Sequence, residues 1–408
     1  MSGKWPGGFI KKTAPTVVGP VDGEGGSASG VWTLDQAADY ESQGLWPIPT
    51  LDRKLYAWGL NSSGQLGIGT SGAGVNESSP VQVGALTIWA LPFSGANFGG
   101  AITGTGTIWV MGSNGQGQLG TNNSTDYSSP VQLGALTNWL RAASGQYHTA
   151  AVKTDGTLWT WGRNALGQIG DGTTIFRSSP VQIGSLTTWL QVAAGYGQTL
   201  ATTTDGKLYA WGYNGYGQLG LGGGTNRSSP TQVGALTTWS KIAAANVHSL
   251  ATTTDGKLYA WGYGGQGRLG NGTTTQFYSP VQVGALTTWS EPSGGVGHST
   301  CTKTDGTLWA FGANGFGQLG VGNITNYSSP VQVGALTTWS QVKAAADSCF
   351  AIKTDGTLWS WGDNPYGQLG QGNTTDYSSP VQVGALTTWR FLPTSMAKSQ
   401  APVVTIRS

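Results

Sequence analysis

Residues Trp161-Gly162-Arg163-Asn164-Ala165-Leu166-Gly167-Gln168-Ile169-Gly170 open one copy of a refrain. After a loop the same copy runs on as Ser178-Ser179-Pro180-Val181-Gln182-Ile183-Gly184-Ser185-Leu186-Thr187-Thr188-Trp189. The glycine after the first tryptophan recurs at Gly59, Gly112, Gly162, Gly212, Gly262, Gly312 and Gly362, and from Gly112 onward the period is 50 residues. A self-similar period of roughly 20–50 residues marks a solenoid, a propeller or an array. Each copy is rich in strand signals, so the spacing predicts an all-β chain closed into a seven-bladed β-propeller over residues 51–408.

The copy between Trp139 and Trp189 shows how one blade is written. Leu140-Arg141-Ala142-Ala143 reads as a short strand, Gly145-Gln146-Tyr147-His148 as a loop, and Thr149–Lys153 as a second strand. Thr154-Asp155-Gly156 reads as a type I′ hairpin turn, because Asp-Gly suits positive φ. Thr157–Trp161 alternates large and small side chains as a half-buried strand does. Val181-Gln182-Ile183 is a fourth strand, opened by Pro180, where a missing N–H costs no ladder bond. Four short strands per copy is the propeller pattern. Two tryptophan columns would fill the seams between blades. One is Trp89, Trp139, Trp189, Trp239, Trp289, Trp339 and Trp389; the other is Trp58, Trp161, Trp211, Trp261 and Trp361, with Met111 and Phe311 in the same place.

The two ends of the array complement each other. The first copy begins at Asp52-Arg53-Lys54-Leu55-Tyr56, which matches the strand after the Asp-Gly turn. The last runs through Arg390-Phe391-Leu392 to Pro402-Val403-Val404-Thr405-Ile406, which matches the strand before it. One composite closing blade is therefore expected, with no sheet edge left open.

Composition narrows the function classes. Only 9% of the 408 residues are charged, against about 25% in ordinary soluble domains. The net charge is +2 and the 20 basic residues are scattered, so neither a nucleic-acid groove nor an anionic-membrane face is expected. Nineteen tryptophans argue against disorder despite 68 glycines. Met1–Pro15 has no apolar core of a leader, and no run approaches the roughly 18 apolar residues of a span. The chain is expected to be soluble, or delivered without a cleaved leader. Cys301 stands in a column of alanines and Cys349 in a column of Thr and Ser; both read as unpaired thiols, and a disulfide stays open.

The refrain Trp161-Gly162-Arg163-Asn164 … Gly167-Gln168-Ile169-Gly170, with Gly145-x-x-His148 nearby, resembles the repeat of the regulator of chromosome condensation family. The resemblance covers about 355 residues and implies the seven-bladed propeller. It implies no single activity. Some members exchange nucleotide on small GTPases and bind chromatin, and some bacterial members are protein-binding inhibitors. The uniform period leaves no insertion for an exchange wedge, and there is no basic tail.

Residues 1–50 share nothing with the refrain. Lys11–Gly30 reads as an extended linker. Thr33 with Gln36 forms a capping box at the start of a short helix, expected at about 34–43, which Gly44 ends and Pro47 keeps from resuming. The element Ser29-Gly30-Val31-Trp32-Thr33-Leu34 … Gly44-Leu45-Trp46-Pro47 resembles one found in virion structural, fibre-like proteins of tailed phages. That resemblance implies an arm docked on another virion protein through Trp32, Leu34, Tyr40, Leu45 and Trp46.

No catalytic set stands out. His148, His248 and His298 occupy one column in different blades and read as structural loop residues, too far apart for a shared metal. The Asp155, Asp205, Asp255, Asp305 and Asp355 column is explained by its turn. There is no Ser-His-Asp set, phosphate loop or C-x-x-C. No enzyme, metal or cofactor is expected. Loops that vary on a constant frame are where recognition concentrates. Those residues are Tyr127, Phe176, Arg177, Arg227, Phe277, Tyr278, Tyr327 and Tyr377 before the S-S-P strand, and Tyr216, Phe316 and Tyr366 in the G-x-N-x-x-G loop. The leading expectation is a phage virion component, anchored by its arm, whose propeller adheres to a host glycan or protein or decorates the particle. The alternative is a protein-binding propeller outside any virion, an inhibitor or scaffold.

Overall fold

A computed structural model describes residues 53–72 and 74–394, and the backbone of 404–407. The arm, with its expected helix and with Trp32, Leu34, Tyr40, Leu45 and Trp46, lies outside the described residues.

Seven four-stranded antiparallel sheets form, and only six of them are continuous in sequence. Those six are the second to seventh blades, which open at Trp89, Trp139, Trp189, Trp239, Trp289 and Trp339. The remaining sheet, the first blade, is composite. Val404–Arg407 lies between Arg53–Gly59 and Trp389–Phe391, pairing Leu55 with Thr405 and Trp389 with Ile406.

The third blade shows the common plan and corrects the expected boundaries. Its strands are Trp139–Ser144, His148–Lys153, Leu158–Gly162 and Arg177–Gln182. His148 is thus the buried first residue of a strand rather than a loop residue. Pro180 lies inside the fourth strand, where the register shifts between Arg177 and Val181 and the ladder does without its N–H. The Asp-Gly turn is not type I′. Asn122 and Gln266 are the non-glycine residues with positive φ among the described residues, so Asp155 keeps a negative φ and only Gly156, at φ +75°, crosses over. The Gly156 N–H donates to the Lys153 carbonyl, as in a type I turn closed by a left-handed glycine. The Asp155 carboxylate accepts from the Thr157 N–H and hydroxyl at 2.9 and 2.6 Å.

Both tryptophan columns are buried. Trp58, Trp161, Trp211, Trp261 and Trp361 are fully enclosed, and Trp89 through Trp389 are 1–5% exposed. The two columns meet edge to face, as Trp139 and Trp161 do at 5.9 Å between ring centres. Each buried indole of this kind contributes roughly 1.5–3 kcal/mol. The first strand of each sheet lies next to the first strand of the following sheet around the axis. Gln191 Nε2 donates to the Ser240 carbonyl and Gln341 Nε2 to the Arg390 carbonyl, both at 2.7 Å.

Candidate protein-docking face

The refrain is first of all a device that joins blades. In the third blade Trp161 Nε1 donates to the Gln118 carbonyl of the blade before it at 2.9 Å, and the Thr149 hydroxyl donates to the same carbonyl at 3.1 Å. Trp58 closes the ring in the same way on Gln368, at 2.9 Å. Asn164 Oδ1 accepts from the Ile169 N–H at 2.9 Å, while its amide donates to the Thr173 and Ile175 carbonyls, both at 3.0 Å. The Gln168 side chain caps the Leu166 N–H at 2.8 Å. Gly162 has φ +105°, and a β-carbon there would lie 2.5 Å from the Tyr147 carbonyl oxygen.

Strand register places the variable loops on one face. His148 pairs with Gly162, and Gly162 pairs with Arg177. The inner loop before the second strand and the long loop between the third and fourth strands therefore emerge together. The Asp-Gly turns and the G-A-L-T-T loops lie at the opposite end. There Leu86, Leu136, Leu186, Leu236, Leu286, Leu336 and Leu386 are all exposed. Every blade repeats that leucine, so it belongs to the frame.

The recognition residues expected from sequence divide in two. Tyr127, Tyr327 and Tyr377 are half-buried against the blade cores, and their hydroxyls accept from Asn123, Asn323 and Asn373 at 3.0, 3.2 and 3.0 Å. Phe277 packs on the core around Phe311. Arg177 is paired with Asp171, its Nε at 2.7 Å from Oδ2. These five are half-buried and held by contacts within their own blades. The signal for the tyrosines was the asparagine four residues earlier in each copy. Phe176, Tyr216, Tyr278, Phe316 and Tyr366 are exposed by 38–48%, and Arg227 is exposed as well.

Around Tyr216 the structure brings together residues from several blades. Tyr216 meets Tyr213 edge to face at 6.1 Å and Tyr263 of the next blade at 5.2 Å. The Arg268 guanidinium lies 4.8 Å over the Tyr263 ring. Tyr278 packs over Gly217, and Leu166 and Tyr213 both flank Gly197. Tyr196, Tyr216 and Tyr263 remain 38–40% exposed. Tyr213 and Tyr263 were missed by sequence reasoning. They occupy the variable place after W-G, held elsewhere by Leu60, Ser113, Arg163, Ala313 and Asp363, and the comparison among copies contains them.

The seventh blade presents a different chemistry on the same face. Partial burial, then Asp376, then Asp347 raise the Asp363 carboxyl to about 6. Gln368 donates to it at 3.3 Å.

Burial sets the protonation of the histidines and thiols among the described residues. Burial lowers His148 to about 4 and His298 to about 3, so both imidazoles are neutral. Each histidine bridges to the next blade: His148 to the Thr199 hydroxyl at 2.9 Å, His248 to Ser299 at 2.8 Å, His298 to the Cys349 sulfur at 3.1 Å. Cys301 and Cys349 are unpaired and buried, and burial pushes both thiols up, away from the reactive thiolate. Among the described residues no group of three or more His, Cys, Asp or Glu could hold a metal.

The family model described as the RCC1-like domain matches residues 48–295, and the regulator of chromosome condensation (RCC1) repeat matches 305–352 and 355–395. The chain belongs to the RCC1-like family. Mouse protein RCC2 is 38% identical over 79 residues, which are 19% of this chain and 15% of RCC2. Human WBSCR16 superposes with a TM-score of 0.78 at 22% identity, covering 87% of this chain and 99% of that one. Prp20p of Saccharomyces cerevisiae, described with its binding to Gsp1p and histones, gives 0.78 at 18% identity, covering 91% and 95%. The same yeast protein bound to Kap60 gives 0.79 at 18% identity, covering 96% and 97%. At these identities the solved structures speak for the RCC1-like fold alone. None of these matches is to a virion protein, so the arm resemblance to phage structural proteins gains no support from them.

Proposed function

We propose that this RCC1-like chain is a protein-binding propeller that grips a partner across its loop face, with Tyr213, Tyr216 and Tyr263 as the anchor. The observation that carries this reading is the joined tyrosine sector, at positions where the refrain allows any residue. Frame residues explain themselves by packing; these three do not. Exposed tyrosines that keep a rigid ring and a polar tip are typical of interface anchors. Prp20p supplies the partner classes to test first, a small GTPase and histones, and its complex with Kap60 adds a third. The protein-binding alternative thus replaces virion adhesion as the main reading.

The test is affinity capture with the full chain, comparing wild type, Y216A/Y263A and the opposite-face control L236S. Loss of one stoichiometric partner only in the tyrosine variant supports the proposal. Retention of the partner in a folded Y216A/Y263A protein overturns it. The motif in residues 28–48 supports a second reading, in which the partner is a virion protein. Its test is recovery of the full chain, and not of a chain lacking residues 1–48, in purified particles.

A further inference from the structure

Charge divides the loop face into two arcs. Strand register pairs Glu77 with Gly59, Arg177 with Gly162 and Arg227 with Gly212, so this column stands at the loop end of each blade. Arg163, Tyr213, Tyr263 and Asp363 each follow the glycine of their blade and share that end. The third to fifth blades carry Arg163, Arg177, Arg227 and Arg268 there; Asp171, the one acid in their long loops, is bonded to Arg177. The seventh, first and second blades carry Asp363, Asp376, Glu77 and Asp126 there, and their long loops hold no cation. Arg163 is half-buried, 5.6 Å over the Tyr147 ring, and Arg227 is exposed. Arg268 is spent on two carbonyls, Gln266 and the Tyr263 ring. Among the described residues none of these three is paired with a carboxylate. They border the tyrosine sector. Arg163 shares its loop with Leu166, which flanks Gly197 beside Tyr213; Arg227 is paired with the residue before Tyr213; Arg268 stacks on Tyr263. The frame does not require the outer two: Ser113 and Ala313 take the place of Arg163 in sibling blades, and Glu77 and Tyr127 that of Arg227.

We propose that the partner segment seated on the tyrosine sector is acidic: a peptide stretch with an apolar residue on Leu166, Tyr213 and Tyr216 and carboxylates on either side, met by Arg163 and Arg227. The inference rests on the protein-docking reading of this face and adds the chemistry of what docks. Charge complementarity sets the class. A guanidinium without a carboxylate of its own offers two-pronged, charge-assisted bonds to one. The acidic arc across the ring repels the same segment and so confines it to the third to fifth blades. A nucleic-acid strand fits less well. Its evenly spaced phosphates call for a continuous cationic track, and arginines set between tyrosines, opposite an acidic arc, do not make one.

The experiment titrates the full chain against a fluorescein-labelled peptide in which pairs of glutamates flank a leucine, read by anisotropy. The comparison probes are the same peptide with lysine for glutamate and a short DNA single strand of mixed sequence. The variants are Arg163→Ser, Arg227→Glu and, on the opposite arc, Asp363→Ala, each a residue that sibling blades carry; thermal midpoints verify folding. The acidic peptide is expected to bind the wild type and to weaken with added salt. It should weaken about tenfold in R163S and in R227E and bind D363A at least as well as wild type. An acidic peptide that does not bind, or that binds R163S/R227E as it binds the wild type, overturns the proposal, while loss of the captured partner in Y216A/Y263A would still uphold the docking reading. A DNA strand that binds more tightly than the peptide, and through the same arginines, also overturns it. Retention of the partner by folded Y216A/Y263A removes the docking reading and this proposal together.

Discussion

At the scale of single residues, the histidine column turns a packing choice into an acid response. His148 is enclosed, takes its proton near pH 4 when folded, and would take it near 6.5 when unfolded. Between those values the unfolded chain binds the extra proton, so stability falls as pH drops from about 6.5 to about 4. The penalty is on the order of 3 kcal/mol for this residue. The fourth blade offers a substitute: Gln198 occupies the same column and donates to the Ala245 carbonyl at 2.7 Å. H148Q is expected to stay within about 1 kcal/mol of wild type at pH 7.5. At pH 4.5 it should be the more stable of the two, as urea midpoints at both values will show. Asp363 works with the opposite sign. Its carboxyl is raised to about 6 by partial burial and by Asp376 and Asp347, so the fold gains stability as pH falls through 6. D363N removes that repulsion and should stabilise the protein at pH 8 by about 1 kcal/mol, a figure discounted for solvent screening. The gain should vanish below pH 4. An Asp363 variant with a flat pH profile of stability difference would refute the repulsion.

At the scale of the loop element, the fifth blade departs from the refrain twice, and the two departures belong together. Gly264 stands where other copies have asparagine, and Arg268 where they have glutamine. Without the asparagine amide to organise it, the loop tightens into the short 3-10 turn Gly265–Gly267, with Gln266 at φ +63°. Arg268 holds this turn through the Gly265 carbonyl at 2.8 Å, Gln266 Oε1 at 2.9 Å and the Val296 carbonyl at 2.7 Å. A β-carbon at Gly264 would lie 1.8 Å from the Thr275 carbonyl oxygen. R268Q alone and G264N alone are each expected to destabilise. The double variant restores the sibling loop and should recover part of the loss, a coupling of about 1–2 kcal/mol in a double-mutant cycle. Strict additivity in denaturant midpoints would show that the two sites are independent. The same loops show what was legible in sequence. The frame was readable because seven copies display which residues never vary. The division of the loop aromatics was legible only on one side: the asparagine four residues before Tyr127, Tyr327 and Tyr377 marks those tyrosines, and nothing local marks Tyr216. Asn123 covers one hydroxyl, while the other ring meets Tyr213 and Tyr263 across a blade seam that no local pattern encodes.

At the scale of the whole molecule, closure depends on four residues that are distant in sequence from their partners. Val404–Arg407 forms the ladder on both sides between Arg53–Gly59 and Trp389–Phe391. This was foreseeable from the ends of the array, since each end lacks a strand that the other supplies. Its physical weight comes from the ring. Trp58 is enclosed by Phe350 of the seventh blade at 6.4 Å and by Trp389 of its own composite blade at 6.0 Å, and its indole N–H donates to the Gln368 carbonyl of the seventh blade. Removing residues 395–408 leaves Arg53–Gly59 and Trp389–Phe391 with open edges and loosens the seam that buries Trp58. The melting midpoint should fall by on the order of 5–10 °C, and the freed edges should promote association at high protein concentration. A synthetic peptide of residues 395–408 added in trans should restore the midpoint, because the two ladders it completes come from main-chain pairing. A truncated protein that melts at the wild-type temperature would show that the tryptophan seams alone hold the ring shut.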